Sequence, residues 1–258
     1  MKNNTVVVGY IEGYPFSKFK KWITSLRKEY TGDIAFIYKN ITDDTLNKLK
    51  ENNIISINVE TLYKDYNLNP NLSPYNTKFL ALYLCIKHNI LDYEKYLFTD
   101  STDVYFQTNP FTFTEEKKVH LTLENNYYGS CETNNTWILV GWGQEKLQTL
   151  LNKKIINAGV LLADKENILI FLKYFAKEMT YCLTRHRTYP TFDQSAFNCV
   201  AYNNHTNSNI ILHDQKYAIH LSGYKFKDLN IIDKLICDKD NKPFSIIHQY
   251  DCIGEINL

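Results

Sequence analysis

The alternation of strand-like and helix-like segments in the first hundred residues narrows the fold more than any other feature. A β-branched run at 5–10 ends on Gly9-Tyr10. Pro15 opens a segment with apolar residues at Phe19, Ile23, Leu26 and Tyr30, the spacing of one helical face. Gly32-Asp33 stops it, and 34–38 reads as a second strand. Residues 43–50 read as a short helix and 54–59 as a third strand. Ser73-Pro74 is a strong helix start: the Ser hydroxyl can accept from the free amides of the first turn, and Pro has no amide to leave unpaired there. Phe79, Leu82, Tyr83 and Ile86 continue that helix as one apolar stripe, and a fourth strand at 96–99 runs into Asp100. This βαβαβαβ order predicts an α/β fold, a mostly parallel central sheet of Rossmann type flanked by helices on both faces. Ligands of such sheets sit beyond the carboxyl ends of the strands. Gly9-Tyr10 and Asp100 are therefore expected beside one crevice.

The second half is less regular. Ile155-Ile156-Asn157-Ala158-Gly159 leads into a strand at 160–163, with a tight turn at the glycine as the plainer account of that residue. A helix is expected at about 168–181, and Phe192-Asp193-Gln194 opens another. Short strands are expected at 210–212, 218–221 and 245–248, and the Asn-rich run 203–209 as a surface loop. With no internal repeat and no low-complexity linker, residues 1–258 are expected to form one unit whose C-terminal part is smaller and mixed.

Charge and cysteine usage exclude several classes. The net charge is +1, and the basic clusters at 18–21 and 185–187 are short enough to be solvated faces, so nucleic acid is not an expected partner. No apolar run reaches the roughly 18 residues of a membrane span. Met1 leads straight into the first strand, without a basic stretch and an apolar core behind it, so no secretion leader is expected. Six cysteines without a CxxC pair fit reduced, mostly buried thiols in the cytoplasm. The Asn-x-Ser/Thr triplets at Asn40, Asn134 and Asn204 are then expected to stay unmodified. There is no phosphate-cradling glycine loop, no Gly-x-Ser-x-Gly elbow and no paired Cys/His zinc pattern.

The chemistry concentrates in Phe98-Thr99-Asp100-Ser101-Thr102-Asp103-Val104-Tyr105-Phe106-Gln107. Two carboxylates three apart cannot share a face within one extended strand. If the strand ends at Asp100 and a turn covers Ser101-Thr102, both can aim into one crevice. Paired hard oxygens suit Mg²⁺ or Mn²⁺, and such an ion can bridge a diphosphate. The plainer alternative is a pair of turn-forming Asp residues that cap the strand.

An apolar strand ending in Thr-Asp-x-x-Asp-Val-x-Phe-Gln-x-x-Pro-Phe resembles the metal-binding segment of GT-A-fold glycosyltransferases, where the usual pattern is Asp-x-Asp. Asp103 matches the last Asp of that pattern, Ser101 stands where the first would be, and Asp100 lies one position earlier. The resemblance implies Asp103 as the metal ligand, with Asp100 assisting directly, through water, or by contacting the ribose. Three further segments resemble the family in the same order. Asn157-Ala158-Gly159 is similar to the segment that lines the donor-sugar site, Asp193-Gln194 to the pair that opens a helix beside the transferred sugar, and His248 in Ile246-Ile247-His248-Gln249 to the late His that completes the metal shell. His220, in His220-Leu-Ser-Gly223, is a rival for that last role. Gly9-Tyr10 resembles the segment that holds the base, with Tyr10 as a stacking partner. Lys78 is either an exposed helix lysine or a basic residue facing the nucleotide.

The resemblance implies a metal-dependent transfer of a sugar from a UDP- or GDP-sugar to a hydroxyl acceptor such as a glycan. Residues 1–111 would bind the nucleotide sugar and 112–258 the acceptor. Asp193 would be the general base of an inverting reaction, or would position the sugar or stabilise its positive charge in a retaining one. A non-catalytic glycan- or nucleotide-binding protein on the same fold is the alternative. A sugar-nucleotide pyrophosphorylase would need a basic glycine-rich loop that Val8-Gly9-Tyr10-Ile11-Glu12-Gly13 lacks.

Overall fold

The computed structural model describes residues 4–66, 69, 71–113, 116–186, 191–203 and 209–253. Its first half runs β1 (Thr5–Glu12), α1 (Lys20–Glu29), β2 (Asp33–Lys39), α2 (Asp43–Glu51), β3 (Ile55–Asn58), α3 (Val59–Tyr66), α4 (Pro74–Lys87), β4 (Lys95–Thr99). The second half adds β5 (Val104–Phe106), β6 (Val119–Tyr127), α5 (Glu132–Leu150), β7 (Lys154–Asp164), α6 (Lys165–Arg185), α7 (Asp193–Ala201) and β8 (Ile210–His213). It ends with β9 (Ala218–His220), β10 (Asn230–Ile232), β11 (Leu235–Cys237) and β12 (Ile246–His248).

The seven strands of the main sheet lie in the order β3-β2-β1-β4-β7-β6-β8. β3, β2, β1 and β4 pair in parallel, and only β7 runs against its neighbours. The Val6-Val7-Val8 run is fully buried because both sheet faces are covered, as expected of a parallel strand. Val6, Val8 and Tyr10 face a core built with α3, α4, α6 and α7; Val7 and Ile11 face another, closed by Trp22, Ile23 and Leu26 of α1 and Leu49 of α2. Ser73 caps α4 as expected, its Oγ accepting from the Asn76 amide at 3.3 Å.

Three expectations need correction. β1 continues to Glu12, so Gly9 lies inside the strand, not at its end. A Cβ there would meet Phe36 Cε1 at 2.4 Å; the glycine makes room for a core ring. Asn157-Ala158-Gly159 is not a turn before a strand but the middle of β7. Lys78 is not an exposed helix lysine: α4 is packed on most sides, and Lys78 is only 6% exposed.

Lys18 and Lys20 are exposed around buried Phe19, while Lys21 is half-buried with its Nζ 4.7 Å from the centre of the Tyr250 ring. The second basic cluster reaches Arg187, and the 203–209 run and Asn204 include 204–208; these lie outside the described residues. All six cysteines are free, four of them buried. Burial pushes the Cys85 and Cys182 thiols up to about 12, so neither is a reactive thiolate at neutral pH.

A small sheet, β5-β12-β9, packs Val104, Phe106, Ala218 and Ile246 into the α1-side core. Its register sets Val104 opposite His248 and His248 beside His220.

Two further histidines meet between β6 and β8. His120 Nε2 lies 3.1 Å from Glu116 O, which can only accept, so that nitrogen carries the proton. His120 Nδ1 then accepts from His213 Nε2 at 3.0 Å. Burial, then the neighbouring His120 and Lys216, depresses His213 to about 4, and burial also lowers His120. A histidine whose folded pKa lies below its unfolded value costs the fold nothing above about pH 6.5. Below that the unfolded chain takes up protons that the fold refuses. Thermal melting is therefore expected to fall between about pH 6.5 and 4, and to fall less in His213→Phe. An equal acid slope in that variant would refute the pair's role.

Candidate active site

The turn between β4 and β5 is fixed from three sides. The Asp100 amide donates to Gly159 O at 2.9 Å. Ser101 Oγ donates to Tyr10 O at 2.7 Å. Asp103 O accepts from the Gln249 amide at 2.8 Å. With β5 paired to β12, this brings Asp103 beside His248, 145 residues away in sequence. His248 Nε2 lies 3.3 Å from Asp103 Oδ2 and 3.5 Å from Asp100 Oδ2. Among the described residues these three form the one group of carboxylate, imidazole or thiol ligands that could hold a metal, one atom of each lying within 4.8 Å of the others.

Two atoms of the cluster fit a cation. Asp103 Oδ1 and His248 Nε2 are buried and have no hydrogen-bond partner, a costly state unless a ligand completes them. Burial alone would lower the imidazole's pKa, but the charges of Asp103 and Asp100 outweigh it and raise His248 to about 10. That is the signature of a pocket with excess negative charge.

Gly159 earns its glycine here. A Cβ on it would lie 2.3 Å from His248 Cε1 and 2.7 Å from Nε2. The imidazole rests on bare β7 backbone, and no L side chain fits beneath it. Gly159→Ala is expected to push His248 off Asp103 and, if the cluster takes Mn²⁺, to weaken that binding about tenfold or more. Isothermal titration with Mn²⁺ checks this; unchanged affinity would place the ring elsewhere.

Beside the cluster, Lys78 Nζ lies 2.9 Å from Asp100 Oδ1 and 3.0 Å from Asp193 Oδ2. Asp193 reaches it because the amide before it, that of Phe192, donates to Asn76 Oδ1 of α4 at 3.0 Å. The amides form a second network. Asn157 Oδ1 accepts from the Gly159 amide at 2.7 Å, and its Nδ2 donates to Glu124 at 2.8 Å. Gln194 Oε1 accepts from the Ala158 amide at 3.3 Å; its Nε2 donates to Asn134 at 3.0 Å and to Glu124 at 3.4 Å. Glu124 is buried, which raises its pKa against the lowering effect of those amides.

These residues line a cleft of about 230 Å³ with Tyr75, Trp137, Thr191 and Gln249. The cleft collects Lys78, Asp100, Asp103, Asn157, Ala158, Gly159, Asp193, Gln194 and His248. Gly9, Tyr10 and Ser101 do not line it. Tyr10 is 8% exposed and donates its hydroxyl to Glu12 at 2.8 Å, while Ser101 is spent on the Tyr10 carbonyl. A larger cleft of about 1000 Å³ lies on the far side of the small sheet, among Phe113, Tyr217 and Phe244, without such a cluster among its described residues. Sequence reasoning missed Glu124 and Trp137. Glu124 sits in the β6 alternation Leu121-Thr-Leu123-Glu124 and bears no motif.

The mostly parallel seven-stranded sheet flanked by helices, with this cluster beyond β4, has the architecture of the GT-A class of fold. Solved structures agree. The galactosyltransferase LgtC, in complex with donor and acceptor sugar analogs, is 15% identical over 95% of this chain and 87% of its own, with a TM-score of 0.55. The glycosyltransferase GlyE of Streptococcus pneumoniae TIGR4 is 15% identical over 96% of this chain and 55% of its own, with a TM-score of 0.53. Glucosyl-3-phosphoglycerate synthase of Mycobacterium tuberculosis, in complex with Mn²⁺, uridine diphosphate and glucosyl-3-phosphoglycerate, is 13% identical over 81% of this chain and 69% of its own, with a TM-score of 0.50. No family model and no curated protein matches the sequence. The chain has the GT-A fold. No described helix is long and apolar enough to cross a membrane.

Proposed function

We propose that this chain is a metal-dependent glycosyltransferase that moves a sugar from a nucleotide-diphospho-sugar to a hydroxyl acceptor. The observation that carries the reading is the convergence of two unpartnered buried atoms, Asp103 Oδ1 and His248 Nε2, at the carboxyl end of a GT-A sheet. Asp103, His248 and Asp100 would hold Mn²⁺ or Mg²⁺. The mixed oxygen and nitrogen donors favour Mn²⁺, because Mg²⁺ prefers oxygen alone. When bound, the cation would neutralise charge on the departing nucleoside diphosphate.

The chain's own residues supply the rest. Asp193 has one oxygen held by Lys78. A carboxylate so paired is better suited to position the sugar, or to stabilise its developing positive charge, than to take the acceptor's proton. Asn157 and Gln194, fixed by Glu124, would line the donor sugar with Ala158 and Gly159. Trp137, half-buried on the cleft wall, offers an apolar face to an acceptor sugar. Tyr75, 54% exposed and lining the cleft, is better placed than Tyr10 to stack on the base. Residues 1–111 would bind the nucleotide and 112–258 the acceptor, with the metal cluster drawn from both and the donor-sugar residues Asn157, Ala158, Gly159 and Gln194 from the second. A cytoplasmic site of action fits the six unpaired cysteines.

The pairing of Asp193 with Lys78 also favours, more weakly, a nucleotide-sugar-binding protein without turnover. One experiment separates the two. A panel of UDP- and GDP-sugars is incubated with Mn²⁺ or with a chelator, and released nucleoside diphosphate is measured. Metal-dependent release supports the transferase. Binding that raises the melting temperature without release would replace it by the binder.

A further inference from the structure

We propose that His220 is a positioning residue that holds His248 through Nδ1, so that His248 turns Nε2 toward Asp100 and Asp103 and presents it bare to a bound cation. The inference rests on the reading that a divalent cation occupies that cluster.

β9 and β12 pair in parallel with His220 beside His248, and the two side chains are 1% and 2% exposed. Their rings stand nearly perpendicular, at 84°, with Nδ1 to Nδ1 at 2.9 Å. Two such nitrogens form a hydrogen bond only if one carries the proton and the other a lone pair. If His220 were the donor, a neutral His248 would keep its proton on Nε2, 3.3 and 3.5 Å from two carboxylates, and could not ligate a cation there. If His248 is the donor, Nε2 is the nitrogen left facing the unpartnered Asp103 Oδ1, and a cation that displaces any proton there finds a lone pair. That is the form a metal ligand must have. His220 then carries its proton on Nε2, where no described residue accepts it. A buried N–H without a partner is a cost that the fold bears at this one ring. A metal-bound histidine ordinarily gives its second N–H to a carboxylate or a carbonyl; here the second imidazole takes that place.

The test uses the whole chain and reads Mn²⁺ affinity by electron paramagnetic resonance titration, without any substrate. His220→Leu removes the acceptor and is expected to weaken Mn²⁺ binding about 10- to 100-fold. His220→Asn keeps an acceptor oxygen near the Nδ1 position and is expected to stay within about threefold of wild type, whereas His220→Gln sets its polar atoms one bond further out and is expected to behave like the Leu variant. A merely structural role would lower the metal-free melting temperature of all three variants without sorting their affinities in this way. Wild-type affinity in a folded Leu variant would overturn the proposal. If the Leu variant does not fold, equal affinity of the Asn and Gln variants would overturn it. Absence of Mn²⁺ and Mg²⁺ binding by the wild type would instead overturn the metal reading, and this inference with it.

Discussion

Asp103→Ala is expected to lower Mn²⁺-dependent turnover of a nucleotide sugar by about a thousandfold, equivalent to about 4 kcal/mol at roughly 1.4 kcal/mol per tenfold. The substitution leaves the turn intact, because the carbonyl that accepts from the Gln249 amide belongs to the backbone. What disappears is the one carboxylate with an unpartnered buried oxygen in the cluster. His248 then faces Asp100 alone, and Asp100 already shares its other oxygen with Lys78. Asp100→Ala should cost less metal affinity for that reason. The pair of variants, with circular dichroism to confirm folding, checks the assignment. Undiminished turnover in Asp103→Ala would refute it.

Lys78→Met is expected to destabilise the fold by about 3–5 kcal/mol, the usual cost of stranding the partners of a buried charge. Burial by itself would make Lys78 easier to deprotonate, but the charges of Asp100 and Asp193 overcome it and raise its pKa well above the ordinary value. Burial opposes charge on Asp100 too, and Lys78, followed by His248, overrules it and holds that carboxyl far below the ordinary 3.8. A lysine raised in this way stabilises the fold at every pH below its unfolded value. The depressed Asp100 contributes above about pH 4, and its contribution is lost as the pH falls further. The loss in Lys78→Met should therefore be full at neutral pH and shrink in acid. Urea unfolding at pH 7 and pH 3 measures both. Adding Asp100→Asn and Asp193→Asn to the Met variant should recover part of the loss, since neutral amides are cheaper to bury. Equal stability of wild type and Lys78→Met would mean that the three groups are not ionised together.

The parallel half of the sheet was readable because its strands are local. β1 to β4 each carry a dense apolar run bounded by turn residues, and Ser73-Pro74 marks α4 without ambiguity. Asp103 and His248 could be named from the resemblance of their segments, and the fold brings the two side chains together. Other features depend on partners distant in the chain. Gly9 resembles a strand-end glycine until Phe36 is known to fill its space. Gly159 resembles a turn until β7 is paired on both sides and His248 lies across it. Lys78 could not be read as buried, because Asp193 reaches it only through the contact of Asn76 with the start of α7. α5 escaped notice for a local reason: Gly141 and Gly143 interrupt its pattern, and Gly143 adopts φ 83° within it. Glu124 carries no motif in the sequence, yet in the fold it accepts from two amides of the cleft.

The register of β5 against β12 carries a consequence for how the site comes into being. Residues 100–103 come first in the chain, whereas His248 follows 145 residues later and is pinned by two pairings of three residues each. A partly assembled molecule could hold the whole parallel sheet and still lack the third ligand. Affinity for a cation at the cluster would then rise only when β12 docks. By mass action the ion would in turn clamp that strand. Amide hydrogen exchange at Ile246 and Ile247, compared with and without Mn²⁺, would report the clamp directly, whatever sugar the cleft receives.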